Sequence, residues 1–300
     1  MKLLVTGAWN GATSELNKLL ELGHSVTFMQ NEVDALPCKY EEVEGVICNG
    51  LFLSHDIKKF TSLKYIQLTS AGFDRVDMNY VLDNGIKIFN ARGVYSIPMA
   101  EFSISGVLSL YKGMKFFTFN QQKRAWVKNR GALELYGKTV CIVGAGNVGT
   151  ECAKRFKAFG CKVVGVDLYP RVDANYEEIL PLSLLDNALK VADVVVLTLP
   201  LTDETKHMMN EERFSKMKDG SVLVNIARGA VIEENALINA LDNKLLGAVL
   251  DVFEVEPLSE NSPLWQKENA IITPHNSFVG DGNVERLNKV IFDNLGEVSE

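Results

Sequence analysis

Runs of apolar, largely β-branched residues alternate with segments of helical periodicity along most of the chain. Residues 2–6, 25–29, 43–48, 64–69 and 86–89 read as strands, with a helix over 13–22. A long, mostly apolar stretch at 98–120 opens on Pro98, which suits a first helical turn, and predicts one helix. Residues 121–136 are more polar and hold Trp126 among basic residues, the pattern of an extended arm or a solvated loop. The alternation then resumes. Strands are expected at 139–143, 161–166, 194–199, 221–226, 247–252 and 270–273. Helices are expected at 147–159, at 183–192 with Ser183 as N-cap, and at 211–217, 233–243 and 283–295. Strands and helices in this order make parallel sheets covered on both faces, an α/β fold. Residues 1 to 95 would form one small α/β unit.

One strand–turn–helix carries more information than the rest. The run 139–143 leads into Gly144, Gly146 and Gly149 at GxGxxG spacing, and a second apolar run after the helix ends in Asp167. Gly144 permits a tight turn, Gly146 lets backbone approach a pyrophosphate, and Gly149 lets helix and strand pack closely. The open N–H groups at the helix start favour an anion. Asp167 stands about 20 residues on, where an acid accepts hydrogen bonds from the adenosine ribose. It would repel a 2′-phosphate, so NAD is expected ahead of NADP.

Composition narrows the partners. Three hundred residues suggest two domains, and 47% hydrophobic content supplies sizeable cores. A net charge of −7 with no basic run argues against nucleic acid or an anionic membrane. No apolar run approaches the ~20 residues of a spanning helix. The opening MKLLVTGAWNG is soon broken by glycine, so no signal peptide is expected. Five cysteines without a CxxC read as reduced, buried thiols of a cytoplasmic protein, and no metal site is expected.

A second nucleotide-like turn competes at Val5 to Ala12, with Tyr111-Lys-Gly-Met-Lys115 supplying a YxxxK as in short-chain dehydrogenases. It lacks the third glycine, and Tyr111 comes too early, so it reads as an ordinary first βα turn. The small-residue loop Thr69-Ser70-Ala71-Gly72-Phe73-Asp74 follows a strand and could present N–H groups to an anion.

In open parallel sheets, ligands sit beyond the carboxyl ends of strands. Arg228, Asp251, Glu256 and His275 all fall there. Cation, carboxylate and imidazole fit hydride transfer to a 2-keto acid. Arg228 would clamp the substrate carboxylate, His275 would donate the proton, and Glu256 would orient His275. His24, His55 and His207 are expected to lack such company.

The stretches 143–149 (VGAGNVG), 199–205 (LPLTDET), 225–230 (NIARGA), 251–257 (DVFEVEP) and 273–275 (TPH) together resemble the D-isomer-specific 2-hydroxyacid dehydrogenases. The resemblance implies an NAD-binding Rossmann domain (96–275) inserted into a flavodoxin-like substrate domain (1–95 plus 276–300), with the active site in the cleft. It implies Arg228, Glu256 and His275 as the catalytic trio. It places Asn147 and Val148 at the pyrophosphate, and Leu199, Pro200 and Thr205 on the cofactor. Ile226, Ala227, Arg228, Asp251 and His275 fall toward the nicotinamide, and Ser70, Ala71 and Gly72 at the substrate carboxylate. It implies a homodimer built largely through the cofactor domain, acting on a small 2-keto or D-2-hydroxy acid. Two segments depart from the family pattern: Ile97-Pro98-Met99, and Asn276-Ser277-Phe278-Val279 after the histidine. Glu256 disfavours a formate dehydrogenase, and a chain ending at Glu300 leaves no room for an appended regulatory domain. The competing reading is an NAD-sensing binding protein or corepressor on the same fold.

Overall fold

The computed structural model describes residues 1–299, with side chains to residue 297. The chain divides into two compact units. One is Met1–Tyr95 together with the segment from Gly280 onward, and the other is Ser96–Val279.

The first unit holds β1 (Lys2–Thr6), β2 (Ser25–Met29), β3 (Gly45–Cys48), β4 (Tyr65–Leu68) and β5 (Lys87–Phe89). All pair in parallel, in the order β2-β1-β3-β4-β5 of a flavodoxin-like sheet. Helices α1 (Ala12–Glu21), α2 (Leu51–Ser54) and α3 (Met78–Asp83) connect them. Each inner strand is apolar throughout because both its faces are buried. Leu4, Val46 and Ile66 face a core shared with Leu51 and Val81. Leu3, Ile47 and Tyr65 face the closing helix Asn283–Ser299 through its Leu287, Ile291 and Leu295, one helical stripe. Trp9, fully buried, donates its indole N–H to Asn288 Oδ1 at 2.7 Å. A Cβ on Gly7 would lie 2.4 Å from the Gln30 carbonyl oxygen, so the glycine of this first turn serves the close approach of the chain after β2.

The second unit holds β6 (Thr139–Val143), β7 (Lys162–Asp167), β8 (Glu178–Pro181), β9 (Val194–Leu197), β10 (Val222–Asn225), β11 (Gly247–Leu250) and β12 (Ala270–Ile272). The order β12-β11-β10-β9-β6-β7-β8, all parallel, is the Rossmann order with one strand added. The order reverses between β6 and β9, where such folds hold a dinucleotide. On one face lie α4 (Ser96–Lys112) and α6 (Asn147–Ala158), burying Ile104, Val107, Cys152 and Phe156. A Cβ on Gly106 would meet the Val249 methyls at 2.7 Å, so α4 lies tight against β11. The other face carries α7 (Leu185–Val191), α8 (Glu211–Lys216) and α9 (Glu234–Asn243). Tyr111 is buried in this unit's core, whereas the Val5–Ala12 turn belongs to the first unit.

Three expectations need correction. The helix expected over 98–120 starts at Ser96 and breaks at Gly113, whose φ of 65° interrupts the ladder before α5 (Met114–Gln122). Ser183 does not cap α7. The chain enters through a tight turn at Leu182–Leu184, leaving Leu184 at the cap position. The edge strand β8 was not expected, because its EILP run is short and only half apolar. All five cysteines are free and four are buried. Burial pushes the Cys152 and Cys161 thiols up to about 12 and about 11, leaving them protonated and inert at neutral pH. Among the described residues, no helix is long and apolar enough to cross a membrane.

Candidate active site

Three adjacent strands of the second unit end level: Asn225 pairs Leu250, and Leu250 pairs Ile272. The chain therefore delivers Arg228, Asp251 and His275 to one rim of the sheet. Glu256 joins them from the loop after β11. His275 Nδ1 lies 2.8 Å from Glu256 Oε2. The other Glu256 oxygen accepts the Phe253 backbone N–H at 3.0 Å, which fixes the carboxylate. The imidazole is 44% exposed and the carboxylate 37%, so a ligand can reach the pair. His275 Nε2 has no hydrogen-bond partner among the described residues, and the Phe278 ring meets the imidazole edge-on at 6.0 Å.

Asp251 is completely buried. Its Oδ1 accepts the Thr273 hydroxyl at 2.5 Å and the Asn276 N–H at 2.7 Å, and its Oδ2 accepts the Ser277 N–H at 2.9 Å. Its carbonyl accepts the His275 N–H at 2.8 Å. The loop that carries the imidazole is thus wound around one carboxylate, with His275 itself at a left-handed φ of 52°. Nothing in the order of residues announces those partners.

Arg228 follows a turn held by Asn225, another fully buried polar side chain that sequence reasoning passed over. Asn225 Oδ1 accepts the Ala227 N–H and its Nδ2 donates to the Arg228 carbonyl, both at 3.1 Å. The guanidinium donates through Nη1 to the Ala227 carbonyl at 2.8 Å. Ile226 and Ala227 are buried. Gly229 has no alternative: a Cβ there would lie 1.8 Å from the Phe253 carbonyl carbon and 2.2 Å from the Glu254 nitrogen. Only glycine lets the Arg228 turn press against the loop leading to Glu256.

His207 has a partner after all. Its Nε2 lies 2.9 Å from Glu254 Oε2, and its N–H donates to the Ala230 carbonyl. Glu254 also helps burial push the Glu234 carboxyl above its ordinary range. The loop 254–256 therefore offers one carboxylate to each of two histidines. The sequence hid this because residues 207 and 254 meet only in the fold.

The glycine turn has the shape its spacing requires. Gly144 takes a φ of 101°, and a Cβ there would lie 2.8 Å from the Leu199 nitrogen. A Cβ on Gly149 would lie 2.1 Å from the Gly144 carbonyl oxygen. At Gly146 it would meet nothing within 4 Å, which leaves space beside the turn where α6 starts at Asn147. Asp167 Oδ2 accepts the Ala145 N–H at 2.7 Å and Oδ1 the Tyr169 N–H at 3.0 Å. Each oxygen keeps capacity for a ribose hydroxyl. Leu199 and Pro200 follow β9, across the switch point. The Thr205 hydroxyl ties their loop, donating to the Pro200 carbonyl at 2.8 Å and accepting the Thr202 N–H at 2.7 Å. These features fit a dinucleotide.

Ser70, Ala71 and Gly72 belong to the first unit, in the loop after β4. The Ser70 hydroxyl donates to the Gly72 carbonyl at 3.2 Å, and Asn90 Nδ2 donates to the Ala71 carbonyl at 2.6 Å, which fixes the loop's shape.

Residues 104–277 match the family model of the D-isomer specific 2-hydroxyacid dehydrogenase NAD binding domain. The chain belongs to that family. The match spans β6 to β12 and ends at Ser277, just past the imidazole loop. Among curated relatives, D-3-phosphoglycerate dehydrogenase of Methanocaldococcus jannaschii is 36% identical over 236 residues, 77% of this chain and 44% of that protein. Glyoxylate reductase of Thermofilum pendens is 37% identical over 225 residues, 71% of this chain and 65% of that protein. Both relatives are matched over less than two thirds of their own length. Among solved structures, D-lactate dehydrogenase from Aquifex aeolicus, complexed with NAD and lactic acid, superposes with a TM-score of 0.81 at 29% identity. That match covers 99% of this chain and 95% of the other. In the family's terms, the second unit is its NAD-binding domain.

Proposed function

We propose that the chain is an NAD-dependent oxidoreductase that interconverts a small 2-keto acid and its D-2-hydroxy acid. The observation that carries this reading is the exposed His275–Glu256 pair, set at the same sheet rim as Arg228 in a family NAD-binding domain. The bound dinucleotide supplies or accepts a hydride at the substrate's second carbon. Arg228 holds the substrate carboxylate with its planar fork and polarises the neighbouring carbonyl. His275 gives a proton to the carbonyl oxygen as it becomes a hydroxyl, and takes it back in oxidation. Glu256 orients the ring through Nδ1, leaving Nε2 for the substrate. The first unit, which carries Ser70, Ala71 and Gly72, is the proposed substrate domain. The reading is supported by relatives named for glyoxylate, phosphoglycerate and hydroxypyruvate chemistry.

A panel of glyoxylate, hydroxypyruvate, pyruvate and larger keto acids with NADH tests it. At least one is expected to oxidise NADH with saturation kinetics. Tight NADH binding with no turnover of any would favour a sensing role instead. A homodimer is the proposed assembly. Large apolar side chains crowd the surface from α5 onward: Phe116, Phe117, Phe119, Tyr136 and Trp126, the last 97% exposed. Sedimentation equilibrium should give twice the chain mass, and a monomer at micromolar concentration would refute it. Five free cysteines suit a reducing compartment, the cytoplasm.

A further inference from the structure

We propose that Arg171 reads the adenosine end of the dinucleotide, as a cationic partner for a phosphate on the ribose 2′-oxygen, so that the chain accepts NADPH alongside NADH. The inference rests on the reading of residues 144–149 as the dinucleotide turn. Arg171 stands on the connection from β7 to β8, shortly after Asp167. Its Nη2 donates to the carbonyl of Ala145, the residue between the first two glycines. The N–H of the same Ala145 is held by Asp167. One residue of the turn is therefore gripped by a carboxylate on its amide and by a guanidinium on its carbonyl.

That pairing bears on cofactor choice. In such folds an acid at the end of the second strand takes the ribose 2′-hydroxyl, whereas a nearby arginine accommodates a 2′-phosphate. Here both groups stand within one peptide residue of the same turn. The Asp167 charge is already spread over two backbone N–H groups, from Ala145 and Tyr169. Arg171 is exposed, and its Nε and Nη1 have no hydrogen-bond partner among the described residues. The fork can take phosphate oxygens through these donors. Its charge also helps hold the Asp173 carboxyl below the ordinary range, behind the larger effect of the Asn175 N–H. Arg171 thus works among anions at the rim of this turn. Asp167 keeps NADH the better ligand, and Arg171 narrows the margin.

Fluorescence titration of the full chain with NADH and with NADPH tests this without turnover. The parent should bind NADPH within about 100-fold of NADH. Arg171→Ala should raise the NADPH-to-NADH ratio of Kd by about tenfold or more, the usual weight of a charge-assisted hydrogen bond. Asp167→Ala should tighten NADPH, and adding Arg171→Ala should remove that gain. Competition by 2′-AMP against 5′-AMP should show the same dependence on Arg171. An unchanged ratio in Arg171→Ala would overturn the proposal, as would equal weakening of both cofactors, which would place the guanidinium on the adenine or pyrophosphate. A parent that binds NADH but no NADPH overturns it while leaving the NAD reading intact. A parent that binds neither overturns both.

Discussion

His275→Ala should lower kcat for keto-acid reduction by roughly 10²–10⁴-fold, the usual weight of a positioned general acid. The imidazole combines a fixed orientation with an unoccupied nitrogen. Glu256 holds Nδ1 at 2.8 Å, and Phe253 in turn holds Glu256 at 3.0 Å. The truncation removes the proposed proton donor and leaves the proposed carboxylate clamp at Arg228 in place, so KM should change much less than kcat. NADH binding should survive, because the glycine turn lies at the β6–α6 junction, on strands other than those that deliver the His275 loop. Steady-state kinetics together with NADH titration separate the two effects. Keto-acid turnover near the parent rate in His275→Ala, with NADH bound, would sink the mechanism.

What the sequence made legible was whatever is local. The apolar runs and the GxGxxG spacing each involve residues close along the chain. The strands at 2–6, 25–29 and 139–143 coincide with β1, β2 and β6. Other strand ends shifted by a residue or two where buried apolar residues run on into a loop, as at Leu199 and Val252. Gly113 looked tolerable within an apolar helix. Its left-handed φ could not be read from composition. The larger gaps are non-local. Asn225 sits in a matching motif, but its work on the Arg228 turn depends on being sealed in the core. His207 and Glu254 meet because the loops after β9 and β11 lie on the same side of the sheet. Arg171 gained meaning only when its reach to Ala145 was known.

Asp251→Ala should cost on the order of 3 kcal/mol of stability and lower kcat by about 10–100-fold. The carboxylate accepts three hydrogen bonds in a site sealed from solvent. Thr273 can turn its hydroxyl elsewhere, but the N–H groups of Asn276 and Ser277 can find new partners only if the loop moves. Each buried donor left unsatisfied costs about 1–3 kcal/mol, with partial relief if water enters the space. Moving that loop displaces His275, whose φ of 52° persists because the bonds on either side over-determine it. A donor misplaced by about 1 Å loses much of its catalytic value. The resemblance to other family members instead puts Asp251 at the nicotinamide, and the two roles separate in measurement. If the carboxylate works through His275, chemical denaturation should show the stability loss, and kcat should fall further than NADH affinity. If it works on the cofactor, NADH affinity should collapse in a protein of nearly parental stability. Asp251→Asn sharpens the contrast: its amide can accept one of the two N–H groups but turns a donor toward the other, so it should fall between the parent and Asp251→Ala in both stability and kcat.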